Sequence, residues 1–237
     1  MNSPPIKQMV CGVDGCRGGW VAAIKDPHTG TLTVRLFPAF AALTRELTGL
    51  AAMAIDIPIG LPESGARECD QAARRLLGTR RGSSVFPAPI RSLLRARSHA
   101  EASQRRQRVE GKRVSIQTWN IVAKIRSVDT VMRREPSLRV HEAHPEVSFQ
   151  TLRGGPLRHG KKTASGRAER HALLRPIFGR SVPQALSRRA ELMSGADDIL
   201  DAFVLLWTAQ RIARGGALSL PPNPPRDRYG LTMAIVA

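Results

Sequence analysis

Four aspartates, Asp14, Asp56, Asp198 and Asp201, stand among apolar or glycine neighbours in a chain that carries 37 Lys and Arg against 19 Asp and Glu. Carboxylates in such surroundings repel one another and lose hydration, so they persist where a cation or a shared proton holds them. A divalent metal site is the first chemistry to test, and an all-oxygen donor set favours the hard ions Mg2+ or Mn2+.

Asp14 lies in Gly12-Val-Asp-Gly-Cys-Arg-Gly-Gly-Trp20, at the end of a predicted strand, where the glycines let a ligand come close. A turn aspartate capping a hairpin is the plain alternative. Asp56, in Ala54-Ile-Asp-Ile-Pro-Ile-Gly-Leu-Pro62, is flanked by two isoleucines in an apolar run, which leaves a purely structural role little to work with. In Ala196-Asp-Asp-Ile-Leu-Asp-Ala-Phe203, Asp198 and Asp201 are three apart and project from one helix face, while Asp197 is placed to cap the helix.

Val140-His-Glu-Ala-His-Pro-Glu-Val-Ser-Phe149 looks superficially like the H-E-x-x-H metalloprotease motif. Its second histidine comes one residue early and a proline follows it, so the zinc protease reading fails. Glu146 stays as a further ligand for metal or water, weighed against a structural role, ahead of Glu142, His141 and His144. For substrate, Arg80 and Arg81 with Ser83 and Ser84 form a turn rich in cations and hydroxyls, and Gln117 and Trp119 offer an amide beside a ring able to stack on a base. Packing against Ile116, Ile121 and Val122 is the ordinary alternative for Trp119.

The elements that must position these groups are legible in outline. Met9 to Val13 and Trp20 to Ile24 read as a hairpin, Leu32 to Phe37 as a third strand, Phe40 to Leu50 as a helix, and Met53 to Ile57 as a buried parallel strand. If the first and fourth strands are parallel neighbours, Asp14 and Asp56 meet at their carboxyl ends, the edge where open α/β sheets bind ligands. Residues 67–134 carry fifteen arginines and two lysines against five acids, and read as a largely helical, basic insertion interrupted at Gly82 to Pro89. A strand follows at Leu138 to Ala143, a Gly-, Lys- and Ser-rich loop at Arg153 to Gly166, and helices at Arg167 to Phe178 and Ala196 to Arg214. The prolines from Pro221 to Pro225 break the chain before a final strand at Gly230 to Val236.

With 237 residues, the chain is read as a single α/β domain with a helical insertion at about 62–135. No apolar run is long enough to span a bilayer and Met1 to Gln8 lacks a signal-peptide pattern, so a cytoplasmic location is expected. Cys11, Cys16 and Cys69 are odd in number and lack C-x-x-C spacing, which supports neither a disulfide framework nor a zinc site. The formal charge of +18 attracts polyanions, and nucleic acid, DNA or RNA, is the expected partner.

This order of strands, helices and acids resembles the ribonuclease H-like superfamily: a mixed sheet flanked by helices, with an Asp on the first strand, a second acid on the fourth, and acids on a late helix. More closely, the whole chain is similar to domain-of-unknown-function family 429, described as predicted ribonuclease H-like nucleases. The segments that carry the similarity are Gly12 to Trp20, Ala54 to Pro62, Arg80 to Pro89, His144-Pro-Glu146 and Asp197 to Ala202. Asp198-Ile-Leu-Asp201-Ala also resembles the helix acids of Holliday-junction resolvases, which would imply a homodimer. The resemblance implies a phosphodiesterase in which Asp14 bridges two metal ions held also by Asp56 and by Asp198 or Asp201. A non-catalytic nucleic-acid-binding module with the same fold is the alternative. A phosphotransferase of the sugar-kinase and actin-like type is a third reading, and it would need a second Gly-rich phosphate loop, for which Arg153-Gly-Gly155 is a poor substitute.

Overall fold

The computed structural model describes residues 8–237; Met1 to Lys7, most of the segment read for a signal pattern, lie outside the described residues. The chain divides into two compact units, one of residues 1–57, 139–218 and 236–237, the other of residues 58–138 and 219–235. The stretch 62–135 falls within the second.

In the first unit, β1 (Val10–Cys16) and β2 (Gly19–Lys25) form an antiparallel hairpin, and β3 (Leu32–Phe37) extends it antiparallel to β2. After the short helix α1 (Phe40–Glu46), β4 (Ala52–Ile55) inserts parallel to β1, and β5 (Val140–Glu142) pairs parallel to β4. The sheet order is β3-β2-β1-β4-β5, a mixed sheet with the buried β1 at its centre, antiparallel to β2 on one side and parallel to β4 on the other. Helix α1 stops four residues short of expectation, because Leu47 leaves helical geometry and Gly49 adopts a left-handed φ of 69°.

The helices α5 (Pro145–Arg153), α6 (Ala164–Phe178), α7 (Ser181–Ser187) and α8 (Ala196–Ala213) complete this unit. Neither α5 nor α7 was foreseen. Pro145 reads as a breaker in the His-Glu segment, but it occupies the first turn of α5, where no N–H is needed and its fixed φ suits a helix start. Helix α8 is buried along Ile199 to Leu206 and lies directly on β1. Gly12 permits that approach, since a Cβ there would fall 1.9 Å from the Leu206 nitrogen and 2.3 Å from the Ala202 oxygen. The core gathers Val10, Val21, Ala54, Phe149, Phe203 and Leu206 between sheet and helices.

The second unit is helical, with α2 (Glu68–Arg81), α3 (His99–Glu110) and α4 (Ile116–Arg134) and two short 3-10 turns at 82–84 and 91–95. Most of its acids pair with its own arginines. Asp70 takes Arg67 at 2.5 Å and the Ala88 N–H, Asp129 takes Arg91 at 2.8 Å, and Glu101 and Glu110 pair with Arg105 and Arg106 one helical turn away. The strand expected at Gly230 to Val236 shrinks to β7 (Ile235–Val236), after β6 (Ser219–Leu220). Asp227 accepts from the N–H groups of Tyr229 and Leu231 and so winds the preceding residues into a turn. All three cysteines are buried, and none forms a disulfide.

Candidate active site

Strand pairing alone brings the first two acids together. Val13 stands opposite Ile55, and the next step of the ladder is the Asp56 N–H donating to the Val13 carbonyl at 3.1 Å. Asp14 and Asp56 therefore stand side by side just beyond the last paired residues of the parallel β1–β4 ladder, Asp14 two residues before the end of β1. Contrary to the sequence reading, Asp56 is not inside the strand but one residue beyond it, and keeps part of its surface exposed. Asp201 joins them from α8, fully buried at 1% exposure, placed by the same β1–α8 contact that Gly12 allows.

The electrostatics are those of a crowded acid set. Burial and then the charges of Asp56, Asp201 and Asp198 push the Asp14 carboxyl well above the usual carboxylate range, and Lys161 offsets this only in part. Burial likewise raises Asp56, with Glu146 adding to the effect and His144 and Lys161 pulling it back. Asp201 is pushed up to about 7 by burial, against the pull of Lys161 and with the help of Asp56 and Glu146. Asp14 accepts from the Gly15 N–H at 2.7 Å.

Two of the remaining predicted acids have partners of their own. Asp198, not Asp197, caps α8: its Oδ2 accepts from the Gly195 N–H at 2.8 Å, the reach-back expected of an acid at the third helical position. Glu146, in the first turn of α5, forms a buried ion pair with Arg170, whose Nη1 also donates to the Gly166 carbonyl at 3.0 Å. Arg170 and Lys161 are the residues that sequence reasoning missed. Lys161 donates to Asp201 Oδ2 at 2.9 Å, and Asp201, Asp56 and Asp14 together hold its ammonium above its ordinary pKa. The only sequence signal was the Gly- and Lys-rich character of the loop that carries it. That loop is pinned by Gly166, where a Cβ would meet the Gly160 oxygen at 1.9 Å, and by Thr163, which caps α6.

The donor chemistry fits a hard cation: every acid offers oxygen, and Asp201 Oδ1 and Glu146 Oε2 are buried without a hydrogen-bond partner. As the side chains stand, no three His, Cys, Asp or Glu among the described residues are close enough to hold an ion together, and Lys161 supplies the positive charge at Asp201.

The residues expected to touch substrate all belong to the second unit. Arg80 and Ser83 are exposed, Arg81 is half-buried, and Ser84 Oγ donates to the Arg81 carbonyl at 2.7 Å. Gln117 is exposed on the first turn of α4. Trp119 packs beside Ile90, Leu93, Ala102 and Val114, with the His99 ring centred 6.4 Å away, so much of its ring serves the core, though with different neighbours from those expected.

A five-stranded mixed sheet in the order 3-2-1-4-5, with acids at the carboxyl ends of its first and fourth strands and on the helix laid over it, is an α/β fold of the ribonuclease H-like kind. The family model for protein of unknown function (DUF429) matches residues 12–226, and the chain belongs to that family. Compared with the curated proteins and with the solved structures, it finds no match in either.

Lys161 makes the set testable without any substrate. Asp201 and Asp14 have folded-state pKa values above the ordinary carboxyl range, so their stability penalty is absent below about pH 4, grows from there and is complete above the folded value, near 7 for Asp201. Lys161→Met removes the cation that limits this penalty. In urea denaturation without divalent ions, the variant should lose clearly more stability at pH 8 than at pH 5. Equal losses at both would place Lys161 outside the acid set.

Proposed function

We propose that this protein is a metal-dependent nuclease that hydrolyses phosphodiester bonds of nucleic acid, with Asp14, Asp56 and Asp201 as the central carboxylates. The observation that carries this reading is their convergence at one sheet edge, in a setting that raises all three pKa values, within a strongly cationic protein. When bound, a pair of Mg2+ or Mn2+ ions supplies an activated water and stabilises the leaving 3′ oxygen. Asp14, Asp56 and Asp201 would hold these ions, and the charges of Asp198 and Glu146 act on the same set. Lys161 neutralises Asp201 until cations arrive. The arginines of 67–134, Arg80 and Arg81 among them, hold the phosphate backbone without reading sequence.

A cytoplasmic location and a homodimer belong to the same proposal; among the described residues no helix is long and apolar enough to cross a membrane. The test is cleavage of end-labelled DNA and RNA, single-stranded, duplex and branched, with Mn2+ against a chelator control. Cleavage that appears with Mn2+ and vanishes with chelator is the expected result.

One observation favours the second reading, a binding module without turnover. Lys161 already sits where it balances Asp201. That reading expects salt-sensitive binding in chelator and no cleavage with Mn2+ on any of these substrates. Gly154 takes a left-handed φ of 75° and ends α5 as a helix cap, so Arg153-Gly-Gly155 adds nothing to the phosphotransferase reading.

A further inference from the structure

Away from the acid set, the first unit contains an open cavity of about 910 Å³, at the upper end of the range for small-ligand sites. It shares no residue with the carboxylate cluster. Arg17, Arg167, Arg189 and His171 line it, and no acid does. Among the described residues, none of these arginines faces an acid partner; Arg167 donates to the Lys162 carbonyl at 2.9 Å, and Arg17 and Arg189 stay exposed. Unpaired arginines brought together from the β1–β2 turn, α6 and the segment after α7 repel one another, so their gathering in one cavity favours an anion.

Apart from Ser194, the rest of the wall is apolar. Leu186, Met193 and Leu200 contribute, and Met193 is 52% exposed, a large thioether left facing solvent. Its backbone holds a left-handed φ of 47°, which a non-glycine residue adopts at a cost. Gly195 and Ala196 complete the lining at the start of α8, where Asp198 Oδ2 already accepts from the Gly195 N–H, so the positive charge of the cavity comes from its arginines. A bare phosphate would leave most of this volume empty. The lining matches a ligand with an anionic head and a flat, weakly polar body, because guanidinium groups both grip phosphate in a fork and stack on bases.

We propose that this cavity binds a nucleotide unit, with its phosphate on Arg17 and Arg189 and its base against Leu186, Met193 and Leu200. The nucleotide belongs to a nucleic-acid strand, or is free in solution; the chemistry is shared. Placement argues for the strand: Ala196 and Asp201 lie on the same helix within two turns, and Arg17 follows Asp14 by three residues, so a strand bound here runs on towards the acids. The ligand's identity rests on the nucleic-acid reading above, whereas the site itself needs no metal chemistry.

The test is binding in chelator, read by anisotropy of a labelled 12-nucleotide single-stranded DNA and by calorimetry with adenosine monophosphate. Arg17→Glu with Arg189→Glu should weaken oligonucleotide binding about tenfold or more and flatten its salt dependence. The control pair Arg45→Glu with Arg214→Glu changes net charge equally at exposed positions outside the cavity and should have a much smaller effect. Oligonucleotide binding without mononucleotide binding assigns the cavity to a strand, and binding of both, lost together in the cavity variant, assigns it to free nucleotide. Equal weakening by the two variant pairs, or equally tight binding of a poly-glutamate peptide that the cavity variant also loses, overturns the proposal. A failure of the nuclease reading would look different: no Mn2+-dependent cleavage, with this binding intact.

Discussion

Asp56→Asn should abolish Mn2+-dependent cleavage, on the order of a thousandfold or more, while leaving the fold intact. The backbone of Asp56 is held by its N–H bond to the Val13 carbonyl, which asparagine keeps. Burial, with a smaller contribution from the charge of Glu146, raises the pKa of Asp56, so removing the charge should relieve a penalty and not add one. In metal-free protein at pH 8, the variant should accordingly be at least as stable as the parent, with the difference fading towards pH 4 as the carboxyls protonate. Urea midpoints and cleavage assays on one preparation separate the two effects. A carboxylate retained for structure would show the reverse pattern, with stability lost and residual activity tracking the folded fraction. Full activity in this variant would sink the assignment of Asp56, and with it the metal-bridging geometry.

Gly12→Ala should be among the most destabilising single-methyl changes available in this chain, with a loss of about 4 kcal/mol or more and little soluble folded protein. The added Cβ would sit 1.9 Å from the Leu206 nitrogen and 2.5 Å from the Leu205 carbonyl carbon, and these are backbone atoms with no rotamer to turn away. Relief would require α8 to lift off β1. That helix is buried along most of its length and carries Asp201, so lifting it would open the core and take the third carboxylate from the other two. Gly216→Ala is the control, because a Cβ there meets nothing within 4 Å and its backbone needs no left-handed φ. Near-wild-type stability in Gly12→Ala would mean that the β1–α8 contact is looser than described.

How much of this was legible in sequence depends on how local each signal is. The hairpin, β3, the helical character of 67–134 and α8 follow from period and turn chemistry within a dozen residues, and their bounds differ from expectation by only a few positions. Helix α5 was missed because a proline was read as a breaker where its position made it a starter. At the N-terminus of α8 the sequence offers cap and ligand candidates side by side, and the choice of cap between Asp197 and Asp198 depends on the side-chain path back to Gly195, which spacing does not reveal. Trp119 illustrates the same limit, since its neighbours come from 90–114 and not from its own helix alone.

The sequence by itself determined that unusual carboxylates sit at the carboxyl ends of two strands and on a late helix, because burial of a charge next to isoleucine or glycine is a local anomaly. It also localised the excess of arginine. Only the tertiary structure decided that Lys161 and Arg170 answer Asp201 and Glu146, since those partners lie 40 and 24 residues apart in the chain and pair through packing of α5, α6 and α8. The same holds for the cavity beside α8. Arg17, Arg167 and Arg189 are unremarkable in a chain so rich in arginine, and their convergence without an acid among them exists only once the helices are laid against the sheet.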